Sequence, residues 1–273
     1  MSAAISKNQS GVFQEPVVVK ILSGEHFSNE SVIALAKVAE SFFASLEIQH
    51  LKEQELHFQE LGAKKILLIL PGATDLKAIA LTHEQQEQIN CYALSGSIKV
   101  LAVCAGAFFA SKTISYNGNI RHADKKLTLF KGASCGPAFP SEDPRWKLSA
   151  EEISLEQFDE QLQGFAAMIG GGFFVPDSKL TENKDYTIVS RYLTLPSKPI
   201  AALTCVPGEE KQFHVALIGP HAEFEGDDES FKALKIGFSD KAHQIDQITH
   251  DLRTTTRFRK ELFYQVFSRL GFK

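Results

Sequence analysis

Val100-Leu101-Ala102-Val103-Cys104-Ala105-Gly106-Ala107-Phe108-Phe109-Ala110 runs from an apolar segment through a cysteine into small residues and then a helix-like pattern. A strand that turns sharply into a helix holds the residue at the corner in a strained, accessible position. The two backbones pack closely there, and Gly106 supplies the missing bulk. The helix that follows aims its N-terminal amides at the thiol, which favours thiolate. This is the logic of a nucleophile elbow carrying sulfur in place of a serine oxygen. The competing reading makes Cys104 one more core thiol, since free cysteines are commonly buried.

Outward from the elbow, the chain alternates strand and helix. Val17 to Leu22 reads as a buried strand closed by Ser23-Gly24, and Asn29 to Phe43 shows helical spacing. Leu46 to Leu51 reads as a second strand. Lys65-Ile66-Leu67-Leu68-Ile69-Leu70 is fully apolar after its lysine, the signature of a central parallel strand. Thr82 and Gln85 form a capping box that opens a helix reaching Leu94, and Lys99 to Val103 is the strand that feeds the elbow. Such alternation predicts a doubly wound parallel sheet. Ser115 to Asp185 reads as less regular and turn-rich. Strands resume at Thr187 to Val189, Ile200 to Val206 and Phe213 to Ile218. Asp251 to Leu270 reads as one amphipathic helix stopped by Gly271.

Composition bounds the function. The 273 residues carry a formal net charge of −4, which offers neither a nucleic-acid footprint nor a polybasic membrane surface. Cysteines at 91, 104, 135 and 205 form no C-x-x-C pair, so no zinc knuckle or dithiol motif is expected, and free thiols fit a reducing cytosol. No apolar run approaches the roughly 20 residues of a membrane helix. Residues 1–15 read as a flexible lead-in without a signal-peptide pattern, and 16–273 as a single domain. The expectation is a cytoplasmic protein.

A thiolate nucleophile needs a base and a group to orient that base. His221 follows a strand in Gly219-Pro220-His221-Ala222-Glu223, at the sheet end where open α/β folds place ligands. Glu223, two residues on, lies on the same side and can hold the second ring nitrogen. The oxyanion hole falls to the amides of Gly72, in the Pro71-Gly72 turn, and Ala105. Glu25, just past the first strand, either hydrogen-bonds the thiol or is a solvated loop carboxylate. Gly170-Gly171-Gly172 fits neither phosphate-loop motif and reads as a glycine-rich wall of the pocket.

Five segments now stand in order: Leu68 to Asp75, Val103 to Ala107, Gly136-Pro137-Ala138-Phe139, Gly170 to Phe174 and Gly219 to Phe224. Together with Arg191-Tyr192 and the closing helix, they resemble the N-terminal domain of eukaryotic-type biotin-protein ligases, a branch of the class I glutamine amidotransferase-like superfamily. The resemblance spans about Val17 to Lys273. It implies a flavodoxin-like three-layer sandwich with a mostly parallel central sheet and a Cys104, His221 and Glu223 triad. Gly106, Gly136 and Gly171 then line the pocket beside Glu25. Ala102 replaces the first glycine of the usual G-x-C-x-G. The resulting A-V-C-A-G also resembles the cysteine elbow of intracellular peptidases and deglycases.

No biotinyl-adenylate loop occurs in the chain, so no biotin ligase activity is expected. The expected function is cysteine-dependent cleavage of a carboxamide or γ-glutamyl amide, without cofactor or metal. It would act on a small-molecule amide, with a separate synthetase or protein partner as the taker of ammonia, and without nucleic acid or membrane. The alternatives are a non-catalytic ligand-binding domain that keeps the pocket, and an interaction protein using its phenylalanine-rich C-terminal helix.

Overall fold

In the computed structural model the described residues are 12–57, 64–73, 79, 81–122, 127–139, 148–156, 162–207, 212–226 and 242–273. The Thr74-Asp75 end of one motif and residues 1–11 of the expected lead-in lie outside them.

β1 (Val17–Leu22), β2 (Leu46–Leu51), β3 (Lys65–Leu70), β4 (Ile98–Val103) and β13 (Val215–Ile218) form the heart of the sheet in the order β2-β1-β3-β4-β13. All four pairings within this core are parallel. β3, β4 and β13 are almost wholly buried, because layers cover both of their faces. Their unbroken apolar runs follow from that double burial. The α/β class read from the sequence is the class observed.

The stretch expected to be irregular is instead rich in strands. β5 (Ser111–Tyr116), β6 (Asn119–His122), β7 (Phe130–Gly136), β8 (Leu148–Leu155), β9 (Gln163–Ile169) and β10 (Phe173–Pro176) extend the sheet. So do β11 (Tyr186–Tyr192) and β12 (Ile200–Cys205), mostly through antiparallel pairing. Gly132 and Gly164 sit inside these strands and hid them from a reading by pattern. At both positions a β-carbon would run into a phenylalanine ring, Phe130 and Phe258 respectively.

α1 (Asn29–Phe42) is capped by Ser28, whose hydroxyl accepts from the Ser31 amide at 3.2 Å. α2 (His83–Leu94) opens on the expected capping box: Thr82 Oγ1 accepts from Gln85 N at 3.2 Å, and Gln85 Oε1 accepts from Thr82 N at 2.9 Å. α3 (Ala105–Phe109) follows β4 directly.

The single C-terminal helix expected from Asp251 is two helices, α4 (Ala242–Thr254) and α5 (Thr256–Arg269). Three successive threonines occupy the break, and β-branched residues weaken a helix. Tertiary contacts complete it, as the Thr255 hydroxyl donates to Asp251 O at 2.9 Å and accepts from Phe165 N of β9 at 3.1 Å. α5 ends as expected on Gly271 at φ 89°, with Phe272 N donating to Phe267 O at 3.1 Å.

The phenylalanines of α5 are core. Phe267 packs edge-on against Phe42 of α1 at 5.4 Å between ring centroids, with Phe13 and Phe43 completing the cluster. Phe13 is buried and its amide bonds Phe42 O at 2.7 Å, so the packed chain begins before the expected boundary at residue 16. No described helix is long and apolar enough to cross a membrane.

Candidate active site

Register brings the two halves of the site together. β4 and β13 are parallel neighbours, with Val103 opposite Ile218. Cys104 is therefore the first residue past β4, and its amide donates to Ile218 O at 2.8 Å. Three residues beyond Ile218, His221 is locked to β9: its amide donates to Ala167 O at 2.7 Å, and its carbonyl accepts from Ala167 N at 3.2 Å.

Cys104 has φ 50° and ψ −113°, a region that non-glycine residues rarely enter. Such strain costs about 1–3 kcal/mol and persists only where surrounding bonds over-determine it. Here the amide is held by Ile218 O, and the carbonyl accepts from Ala107 N and Phe108 N at 3.0 and 3.2 Å. Gly106 makes the corner feasible, since a β-carbon there would collide with the Leu70 carbonyl at the end of β3. The elbow read from the sequence is present. Its helix, however, is only five residues long, so aligned peptide dipoles contribute less than expected.

The charge partner of the sulfur is His221. The ring's Nδ1 lies 2.7 Å from Glu223 Oε1, and the imidazole is electrostatically coupled to Cys104. With Nδ1 committed to Glu223, Nε2 is left for the thiol. Burial alone would push His221 down. Coupling to Cys104 and to the Glu223 carboxylate outweighs it and holds His221 well above its ordinary value of 6.5. Phe224 stacks on the ring at 5.1 Å and fixes its plane. The thiol also has a neutral acceptor, Ile169 O, at 3.7 Å.

Glu223 is held in turn by Ser31, a residue with no motif around it in the sequence. Ser31 Oγ donates to Glu223 Oε1 at 2.7 Å and accepts from Gly72 N at 3.2 Å. The Gly72 amide, expected in the oxyanion hole, is thus engaged by Ser31. Gly72 instead makes room for the base, because a β-carbon there would lie 2.6 Å from His221 Cε1. The Ala105 amide, at the first position of α3, has no carbonyl a turn earlier to bond within the helix.

Glu25 is not brought to the thiol. Its side chain is 87 % exposed and lies 3.5 Å from His26 Nε2, because the Ser23-Gly24 turn carries it into solvent.

The expected pocket glycines are closely packed against their neighbours. Gly171 backs onto the Gly219 carbonyl, where a β-carbon would not fit, and a β-carbon at Gly136 would meet Phe108 Cζ at 2.7 Å. Two tyrosines pin this wall: Tyr116 Oη donates to Gly170 O at 3.2 Å, and Tyr192 Oη donates to Gly172 O at 2.8 Å. Burial first, and then the nearby Cys104 charge, push both phenols up, so they stay protonated donors. Arg191-Tyr192 was the only trace of this wall's support in the sequence. Arg191 itself turns away to Glu156 at 3.0 Å.

The other thiols differ in kind. Burial pushes Cys135 up and Cys205 far up, and Cys91 is exposed. Among the described residues no group of three or more His, Cys, Asp or Glu side chains is placed to hold a metal ion.

The chain resembles solved structures in fold. A glutamine amidotransferase from Thermotoga maritima aligns at 10% identity and TM-score 0.52, covering 93% of this chain and 97% of that one. A second structure described as a glutamine amidotransferase aligns at 15% identity and TM-score 0.48, covering 82% and 98%. No curated protein matches. The family profile described as "Biotin-protein ligase, N terminal" matches residues 17–273. On that match over nearly its whole length, the chain belongs to the biotin-protein ligase N-terminal family.

Proposed function

We propose that this protein is a cysteine-dependent amidase acting on a glutamine-like carboxamide or γ-glutamyl amide. The observation that carries the reading is the relay from the strained Cys104 through His221 to Glu223. The Cys104 sulfur adds to the amide carbon, and the carbonyl π electrons move to oxygen, where the Ala105 amide stabilises the oxyanion. Collapse of the tetrahedral adduct breaks the C–N bond, and the imidazolium Nε2–H protonates the departing nitrogen. A thioester remains. Water adds to it with His221 as base, the acid leaves, and the thiol is restored. Glu223 holds the ring through Nδ1 and keeps it in the tautomer that presents Nε2 to the sulfur. The proposed chemistry is amide cleavage, not biotin transfer, and released ammonia would pass to a separate synthetase or other protein partner.

Labelling with a thiol-reactive glutamine analogue, together with ammonia release from glutamine and small amides, tests this reading. Cys104 should be modified ahead of Cys91 and Cys205, and Cys104→Ala should abolish turnover. Equal labelling of the thiols with no effect of Cys104→Ala on turnover sinks it.

One observation favours a second reading. Cys104 is only 7 % exposed and its thiol has the Ile169 carbonyl as a neutral partner. A pocket kept for ligand binding without turnover fits that arrangement. It is distinguished by amide ligands that still bind Cys104→Ala while no ammonia is released by the wild type.

A further inference from the structure

The carbonyl that faces the nucleophile leads into a connection tied down residue by residue. Cys104 Sγ donates to Ile169 O at 3.7 Å, and Ile169 is the last residue of β9. The next three carbonyls, before β10 begins, are each taken by a donor from a different part of the sheet. Gly170 O accepts from Tyr116 Oη at 3.2 Å, Gly171 O from Ala138 N at 2.8 Å, and Gly172 O from Tyr192 Oη at 2.8 Å. Gly170 itself has φ 68°, where a side chain is strained. One residue therefore separates the carbonyl at the sulfur from the carbonyl held by Tyr116.

Local sequence puts that phenol in place. Tyr116 ends β5, and the two residues after it, Asn117 at φ 50° and Gly118 at φ 74°, make the tight turn into β6 that needs positive φ at both positions. The ring packs edge-on against Phe108 of α3 at 5.6 Å between centroids. Gly136 leaves it room, since a β-carbon there would lie 3.1 Å from Tyr116 Cδ2. Tyr116 thus touches the elbow helix through its ring and the β9–β10 connection through its hydroxyl.

We propose that Tyr116 is a positioning residue for the nucleophile: through Gly170 it holds the Ile169 carbonyl against the Cys104 thiol, and so sets how readily the sulfur gives up its proton to His221. The role rests on the amidase reading. A thiol that donates to a carbonyl is stabilised as the neutral form, whereas a thiolate would face the negative end of the same dipole. His221 pulls the other way, being coupled to Cys104 and steered by Glu223 through Nδ1. The other titratable side chains coupled to Cys104 among the described residues are Tyr116 and Tyr192, whose phenols burial pushes up, so both stay neutral. The carbonyl and the imidazole decide the balance, and the phenol fixes where the carbonyl stands.

Alkylation of Cys104 by iodoacetamide across a range of pH, read on the intact chain by peptide mass spectrometry, tests this without requiring turnover. Tyr116→Phe keeps the ring on Phe108 and removes the bond to Gly170. Its Cys104 should alkylate about threefold faster or more at mildly acidic pH, a shift of about half a pH unit in the profile. The two rates should converge at alkaline pH, and Cys91 should label alike in both. Gly170→Ala strains the same connection from the backbone and should move the profile the same way, so either variant decides if the other fails to fold. A merely structural phenol predicts a lower urea midpoint with an unmoved profile. That result, or a profile moved to higher pH, overturns the proposal. If the wild type releases no ammonia while the Tyr116→Phe profile still moves, the amidase reading fails and the positioning of the thiol stands.

Discussion

Ser31 and Glu223 are 192 positions apart in the chain and 2.7 Å apart in the fold, joined by a fully buried hydrogen bond. The same Ser31 hydroxyl receives the Gly72 amide at 3.2 Å. One side chain therefore ties the acid of the relay to the turn on which the base rests. Its place on the first turn of α1 follows from the Ser28 cap, which fixes where that helix begins. Ser31→Ala leaves a buried carboxylate with one bond fewer and a buried amide without its acceptor. The expected outcome is a loss of about 1–3 kcal/mol in urea unfolding. Alkylation of Cys104 by iodoacetamide should also slow several-fold at neutral pH, while Cys91 labels as before.

Gly72→Ala should disable the base without touching the nucleophile. Its new methyl group would sit 2.6 Å from His221 Cε1, closer than any tolerated contact, and the ring is sandwiched by Phe224 on another side. Overpacking of this kind costs about 1–3 kcal/mol. Thermal unfolding should shift down accordingly, and amide turnover should fall far more than stability does. Turnover equal to wild type would show that the ring has room this geometry denies it.

His221 gives stability a pH dependence of definite sign. Its folded value is raised well above 6.5 by Cys104 and Glu223 in spite of burial. The folded protein therefore binds the ring proton more tightly than the unfolded chain does. The resulting stabilisation is fully present below the unfolded value of about 6.5 and is lost as the pH rises through the raised folded value. Urea unfolding across neutral to alkaline pH should show stability falling in the wild type. His221→Gln should flatten that fall.

Thr255 anchors the break between α4 and α5 with three side-chain hydrogen bonds, to Asp251 O, Phe165 N and Arg259 Nη1. Thr255→Val keeps the shape and removes all three. A loss of about 2–4 kcal/mol is expected from leaving buried groups unsatisfied, read as a lower urea midpoint. Amide exchange should rise along β9, where Phe165 N loses its acceptor.

Much of this protein was legible in its residues because the deciding signals are local. Apolar runs and capping chemistry located β1, β3, β4, α1 and α2 within a residue or so. The small residues after Cys104 announced the elbow, and His221 with Glu223 stood two apart on one strand end. Each of those features is set by neighbours along the chain, through steric limits on the backbone and the geometry of strand and helix. Part of the antiparallel half of the sheet was harder: β7 and β9 carry interior glycines, Gly132 beside the Phe130 ring of its own strand and Gly164 beside the Phe258 ring of α5.

Only the tertiary structure decided the rest. It took Gly72 from the expected oxyanion hole and gave it to Ser31 and His221, sent Glu25 into solvent, and split the last helix against β9. It set His221 by pairing its backbone with Ala167, and it buried Arg259 against the neutral oxygens of Phe165, Thr255 and Thr256. Those outcomes depend on which elements meet and in what register. That is fixed by the packing of the whole chain, since a side chain's partner across an interface leaves no mark at its own place in the sequence.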